Sequence, residues 1–298
     1  MSLTQRYTAH LGYAPPKFRP QFLESVGTTT PIDHIEYAAA LGMAGIFDPW
    51  ALGRDRRELD EIGRALTDTG LSCGSIVCVP VSKITAPIWT DRSRSGRSSL
   101  ERLIKEAAEA GQALGSPPLA VLVAADPDRT DVEQQRADVA ANLRDMGRLT
   151  ADFGIGLAVE PMTVLPNMLL RNVTEAVEVV SAADVPGVGI IFDTGHASIT
   201  DGDLLAALRT AADHLSILQI VDMPGRVEPG AGELQLVELL ASALVAGYTG
   251  LIDLEHYWAD AGRDGEQAGL ERIRRFDALV DAAVRSQSAT SNTQHERT

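Results

Sequence analysis

Residues 155–196, IGLAVEPMTVLPNMLLRNVTEAVEVVSAADVPGVGIIFDTGH, constrain the fold more than any other stretch. Two short apolar runs, 155–159 and 188–192, each end abruptly in a carboxylate. The first stops at Glu160; the second stops at Asp193, with His196 three residues on. About one helix's worth of chain, 174–183, lies between them. Buried parallel strands are near-continuous apolar runs, and parallel neighbours need a crossover of this kind. A carboxylate where a buried strand gives way to a loop is costly unless something there binds it. The two acids therefore read as facing one site at the C-terminal ends of parallel strands.

The same rhythm runs along the chain. Strand-like runs are expected at 18–26, 44–47, 71–79 and 119–125, then at the two runs above, then at 215–221 and 251–254. Helix-like runs are expected at 31–41, 56–68, 99–114, 131–153, 174–183, 203–212, 234–246 and 265–285. Residues 1–16 read as an N-terminal arm, 81–98 as a long polar loop, and 286–298 as a disordered tail. Eight alternations with no break in composition point to an α/β fold, a single-domain (β/α)8 TIM barrel over 17–285. A doubly wound sheet is the alternative; it is disfavoured because no GxGxxG or GxxxxGK[ST] follows any strand.

Composition removes several classes of partner. With 26 Lys and Arg against 41 Asp and Glu, the formal net charge is -15. Nucleic-acid backbones and anionic membrane surfaces both call for the opposite sign. Cys73 and Cys78 share one apolar run and form neither a CxxC pair nor a disulfide framework, which fits core thiols in a reducing compartment. The first residues carry no apolar core of a signal peptide, and no stretch approaches the roughly 20 apolar residues of a membrane span. The expectation is a cytoplasmic protein acting on a small molecule. The acidic, Ala-rich helices are compatible with a homo-oligomer, although nothing in them reads as an interface.

In such a barrel the reactive groups come from the C-terminal ends of different strands. In the second half these ends supply Glu160, Asp193 with His196, Gln219 with Asp222 and Arg226, and Glu255. Three converging carboxylates would repel one another and partly protonate. A divalent cation removes that problem, and an oxygen-rich set of three acids and the Gln219 amide suits Mn²⁺ or Mg²⁺ better than Zn²⁺. Co²⁺ is compatible. Each residue also has a plainer reading: a strand-end acid caps a helix or pairs with an Arg, His196 caps the following helix, and Arg226 faces solvent. Gln219 lies inside an apolar run and needs a partner, of which a metal is one option. Trp50, Trp89 and Trp258 fit either the walls of a site or the core.

The segments AVEP (158–161), FDTGH (192–196), QIVDMPGRVEPGAGE (219–233) and DLE (253–255) resemble the xylose-isomerase-like TIM barrels, the sugar isomerase/epimerase superfamily. The resemblance covers roughly residues 117–285 and is strongest to hydroxypyruvate isomerase-like proteins, which carry Gln where ketose 3-epimerases carry a His ligand. It implies that Glu160, Asp193, Gln219 and Glu255 bind one divalent metal. It also implies that Glu160 and Glu255 exchange protons with the substrate while His196 and Arg226 hold its oxygens. The chain departs from that pattern after the third strand, where Cys78-Val79-Pro80 and Gly96-Arg97-Ser98 replace an Asn-containing turn and a Gly-Glu-Arg-Gly segment.

The expected activity is metal-dependent isomerisation or epimerisation of a small hydroxy-carbonyl compound or sugar through an enediolate. A metal-dependent dehydratase on the same scaffold, of inosose or 3-dehydroshikimate type, shares the first proton abstraction. A non-catalytic ligand-binding barrel is the alternative from another class. An abasic-site endonuclease is disfavoured by the charge and by having six histidines for several Zn²⁺ ions.

Overall fold

The computed structural model describes residues 3–12 and 19–295, with side chains through residue 287. Nine parallel strands alternate with helices: β1 (Tyr7–His10), β2 (Gly45–Phe47), β3 (Ser72–Cys73), β4 (Ile76–Val77), β5 (Leu119–Val121), β6 (Leu157–Val159), β7 (Val188–Asp193), β8 (Leu215–Ile220) and β9 (Ile252–Leu254). Their order in the sheet is β3-β2-β1-β9-β8-β7-β6-β5-β4. β3 bonds only to β2 and β4 only to β5, and Gly74-Ser75 alone separates them. The third barrel strand is thus one run broken in the middle, and counting it once gives the eight strands of a TIM barrel. The helices form the outer layer. Strands read as apolar runs because both faces are covered; all six residues of β7 are buried.

Four stretches differ from the sequence reading. The first strand is Tyr7–His10, inside the expected arm, and Leu23–Val26 is a helix where a strand was expected. Tyr7 and Thr8 pair with Ile252 and Asp253, so β1 sits beside the last strand. The backbone N–H groups of Thr4 and Gln5 donate to Asp277, and those of Glu24 and Ser25 donate to Glu266, both carboxylates being buried on the last helix. Phe18 and residues 13–16 of the expected arm lie outside the described residues. The last helix, Gly262–His295, runs through most of the expected tail. Residues 94–98 of the expected loop already belong to the helix Arg94–Ala113, whose N-cap Ser93 accepts from the Gly96 N–H.

Side-chain caps fix several helix starts: Asp55, Asp131, Asn172 and Asp203 each accept the N–H three residues on. No helix is long and apolar enough to cross a membrane among the described residues.

The break in the third strand lets another group in. A Cβ on Gly74 would lie 2.7 Å from Asp253 Oδ1 and 3.2 Å from Phe47 Cα. Gly74→Ala is expected to cost about 1–3 kcal/mol through overpacking, read as a lowered urea midpoint with secondary structure retained. A midpoint equal to wild type would contradict this packing.

Candidate active site

Each expected metal ligand sits at the C-terminal end of a strand or just beyond it. Glu160 follows β6, Asp193 ends β7, Gln219 is the penultimate residue of β8, and Glu255 follows β9. Asp193, Gln219 and Asp253 are successive register partners across β7, β8 and β9, and Thr8 pairs with Asp253 on the far side. Asp193 is also the N-cap of the helix Thr194–Thr200, its Oδ1 accepting the His196 N–H at 2.8 Å. The capping reading therefore holds for Asp193, while His196 is carried one turn in, with Nε2 3.5 Å from Glu160 Oε1.

Arg226 reaches the site from a loop built on Asp222. That buried carboxylate accepts N–H groups from Met223, Gly230 and Leu234, and its backbone pairs in both directions with Val227. Arg226 stands at φ 51, a left-handed conformation held by these contacts. Its guanidinium forks onto Asp193, Nη2 to Oδ2 at 3.0 Å and Nη1 to Oδ1 at 3.5 Å, with Nη2 3.6 Å from Glu255 Oε2. Gly195 makes room: a Cβ there would lie 2.9 Å from Arg226 Nη1.

The electrostatics follow from burial. Desolvation, with Asp193 nearby, raises the Glu160 carboxyl to about 8. Desolvation likewise drives Glu255 well above its ordinary value, Arg226 only partly opposing it. Asp193 is desolvated too, but Arg226 and His196 overcome this and hold it down at about 2. Burial lowers His196, so its imidazole is neutral near pH 7. One guanidinium cannot balance three buried carboxylates; protons or a cation must do so.

The donors fit a cation. Ligand atoms of Glu160, Asp193 and His196 lie within 4.8 Å of one another. Gln219 Oε1 and Glu255 Oε2 are buried without a hydrogen-bond partner, and such orphans are uncommon unless something completes them. The Gln219 amide donates to Asp253, which turns its oxygen away from that bond. A set dominated by carboxylate and amide oxygens suits a hard divalent ion.

Asp253 is the residue that the sequence reading passed over. It is fully buried, accepts from Thr8 Oγ1 at 2.8 Å and Ser75 Oγ at 3.5 Å, and is the register partner of Gln219. Desolvation raises its carboxyl to about 6. Its signal was an acid inside the apolar run LIDLE, the same signal that marked Gln219. Trp50 lines the cavity over the site together with Phe47, Met162 and Leu165. Trp89 is core, and Trp258 packs edge-on against His256 with ring centres 4.8 Å apart.

Residues 35–276 match a family model described as the xylose isomerase-like TIM barrel. The chain is similar to 2-oxo-tetronate isomerase of Haemophilus influenzae, 26% identical over 81% of this chain and 93% of that one. It is 28% identical to hydroxypyruvate isomerase of Escherichia coli over 49% of this chain and 57% of that protein. The crystal structure of an AP endonuclease, family 2, from Brucella melitensis superposes with a TM-score of 0.74 at 22% identity. It covers 91% of this chain and 100% of its own, a likeness of fold.

Stripped of cations with EDTA, the folded protein carries a Glu160 carboxyl at about 8 against an ordinary 4.5. Between those values the folded state binds more protons than the unfolded one, so stability falls as pH rises through the window. Asp193, held down rather than up, contributes only at lower pH. The difference in denaturant midpoint between wild type and Glu160→Gln is expected to fall, in the direction of a less stable wild type, as pH rises across this range. Equal slopes in the two proteins would contradict the assignment.

Proposed function

The chain belongs to the xylose isomerase-like TIM barrel family, and from that premise we propose that it is a divalent-metal-dependent isomerase or epimerase of a small hydroxy-carbonyl compound or sugar. The observation that carries this reading is the cluster of Glu160, Asp193 and His196, whose ligand atoms lie within 4.8 Å of one another, on a cavity shared with Gln219 and Glu255, whose Oε1 and Oε2 atoms are buried without hydrogen-bond partners. The isomerase names of its relatives point the same way.

Glu160, Asp193, Gln219 and Glu255 would hold one Mn²⁺ or Mg²⁺, with Co²⁺ compatible. Such a cation stabilises the negative charge that develops on neighbouring substrate oxygens when the adjacent C–H is deprotonated. The chain's own groups do the rest. One of Glu160 and Glu255 takes the proton and the other returns it, at the neighbouring carbon for an isomerase or on the opposite face for an epimerase. Asp193, clamped by Arg226 and by the His196 N–H, keeps its charge and acts only as a ligand. His196, whose Nδ1 is buried without a hydrogen-bond partner, would hold a substrate oxygen. Arg226 would hold a substrate oxygen beside it. The apolar cavity wall limits water at the reacting carbon.

With Mn²⁺-loaded protein in D₂O, wild type is expected to exchange the hydrogen next to the carbonyl of a hydroxy-ketone. Glu160→Gln and Glu255→Gln are each expected to slow this by about 10²-fold or more. Exchange at the wild-type rate in both variants would contradict the two-carboxylate mechanism.

A further inference from the structure

Asp253 is used nowhere in the proposed chemistry, yet it is fully buried in the middle of β9, two residues before Glu255. A carboxylate in such a place is costly unless its oxygens are satisfied. Both are engaged: Oδ1 accepts from Thr8 Oγ1 at 2.8 Å, and Oδ2 lies 3.5 Å from Ser75 Oγ. These two contacts account for a polar residue at this position, but not for an acid, since a hydroxyl or an amide also accepts from hydroxyl donors. What sets an ionised carboxylate apart is that it accepts and never donates.

That property matters to one neighbour. Side chains of register partners share a face of the sheet, so Asp193, Gln219 and Asp253 form a row across β7, β8 and β9. Gln219 stands in the middle, an amide with a donor end and an acceptor end. On one side Asp193 already takes the Arg226 guanidinium and the His196 N–H. On the other, Asp253 takes the Gln219 amide nitrogen. The oxygen of that amide, Oε1, is then left buried without a hydrogen-bond partner, on a residue that lines the cavity with Glu160 and Glu255.

We infer that Asp253 is a positioning residue: an acceptor-only neighbour that fixes which end of the Gln219 amide faces the cavity, and so lets a glutamine serve as an oxygen ligand. This rests on the proposed metal-binding reading for what Oε1 meets. It goes further in giving the choice of ligand atom to a residue outside the ligand set. With a neutral amide at position 253, Gln219 can turn its NH₂ toward the cavity, where it repels a cation. Outer partners that orient a metal ligand typically set about 10–100-fold in metal affinity.

The test is a double-mutant cycle read by Mn²⁺ binding and by NMR. Asp253→Asn keeps the side chain's shape and an acceptor for Thr8. It is expected to weaken Mn²⁺ binding in equilibrium dialysis by about 10–100-fold. In a Gln219→Leu background the same change is expected to add less than about twofold, because Asp253 then has no amide to hold. Metal-free protein carrying isotope-labelled glutamine gives a second readout. The side-chain amide signals of Gln219, identified by their loss in Gln219→Leu, are expected to shift in Asp253→Asn. Asp253→Ser, which shortens the acceptor beside Gly74, serves with the same expectations if the asparagine variant does not fold. Mn²⁺ affinity unchanged by the Asp253 substitution, or lowered equally with and without Gln219, overturns the inference and leaves the metal site standing. Wild type that binds no Mn²⁺ removes the metal reading, and the amide signals then decide for Asp253. Signals that move support its hold on Gln219; signals that stay overturn it.

Discussion

Three carboxylates buried around one guanidinium are the constraint on which the site depends. Arg226 neutralises Asp193 through a fork and reaches toward Glu255, and that leaves the Glu160 and Glu255 carboxyls raised by desolvation. Much of the surrounding sequence serves to hold this imbalance in place. Asp222 organises the loop that delivers Arg226, and Gly195 leaves the space its guanidinium occupies. Glu228, fully buried, binds Arg272 and the Ala259 N–H, tying the same loop to the last helix. A cluster of like charges is tolerated only where its surroundings are this fully determined.

Beneath the cluster lies a polar layer that joins catalytic geometry to barrel closure. Asp253 receives Thr8 from β1, Ser75 from the break in the third strand, and the Gln219 amide from β8. Gly74 brings the broken strand close enough for this contact. Asp253, the register partner of Gln219, is thereby also bonded to β1 and to the break between the two end strands of the sheet. Movement of either strand end would turn the Gln219 oxygen, so the site's precision is inherited from the barrel.

The second half of the barrel was legible in the sequence because its functional groups interrupt or end apolar runs. Glu160, Asp193, Gln219 and Glu255 are each conspicuous against hydrophobic neighbours. The first half was not. YTAH is a four-residue strand whose Thr8 and His10 are buried through partners 245 or more residues away, Asp253 and His256, which no local pattern reports. The third strand is split into two pairs of residues, and Leu23–Val26, inside the run expected as the first strand, is a helix. The cavity wall left no signal either, since Phe47, Leu122 and Met162 are the same residue types that fill the core. Chemistry that depends on polarity shows in a sequence; chemistry that depends on where apolar residues face does not.

The central claim is that the charge imbalance exists to hold one divalent cation. Equilibrium dialysis of EDTA-treated protein against Mn²⁺, followed by electron paramagnetic resonance, measures this directly. The account predicts one tight site per chain, abolished in Asp193→Asn and weakened in Gln219→Leu. Absence of Mn²⁺ binding in wild type, or binding unchanged in both variants, would contradict it.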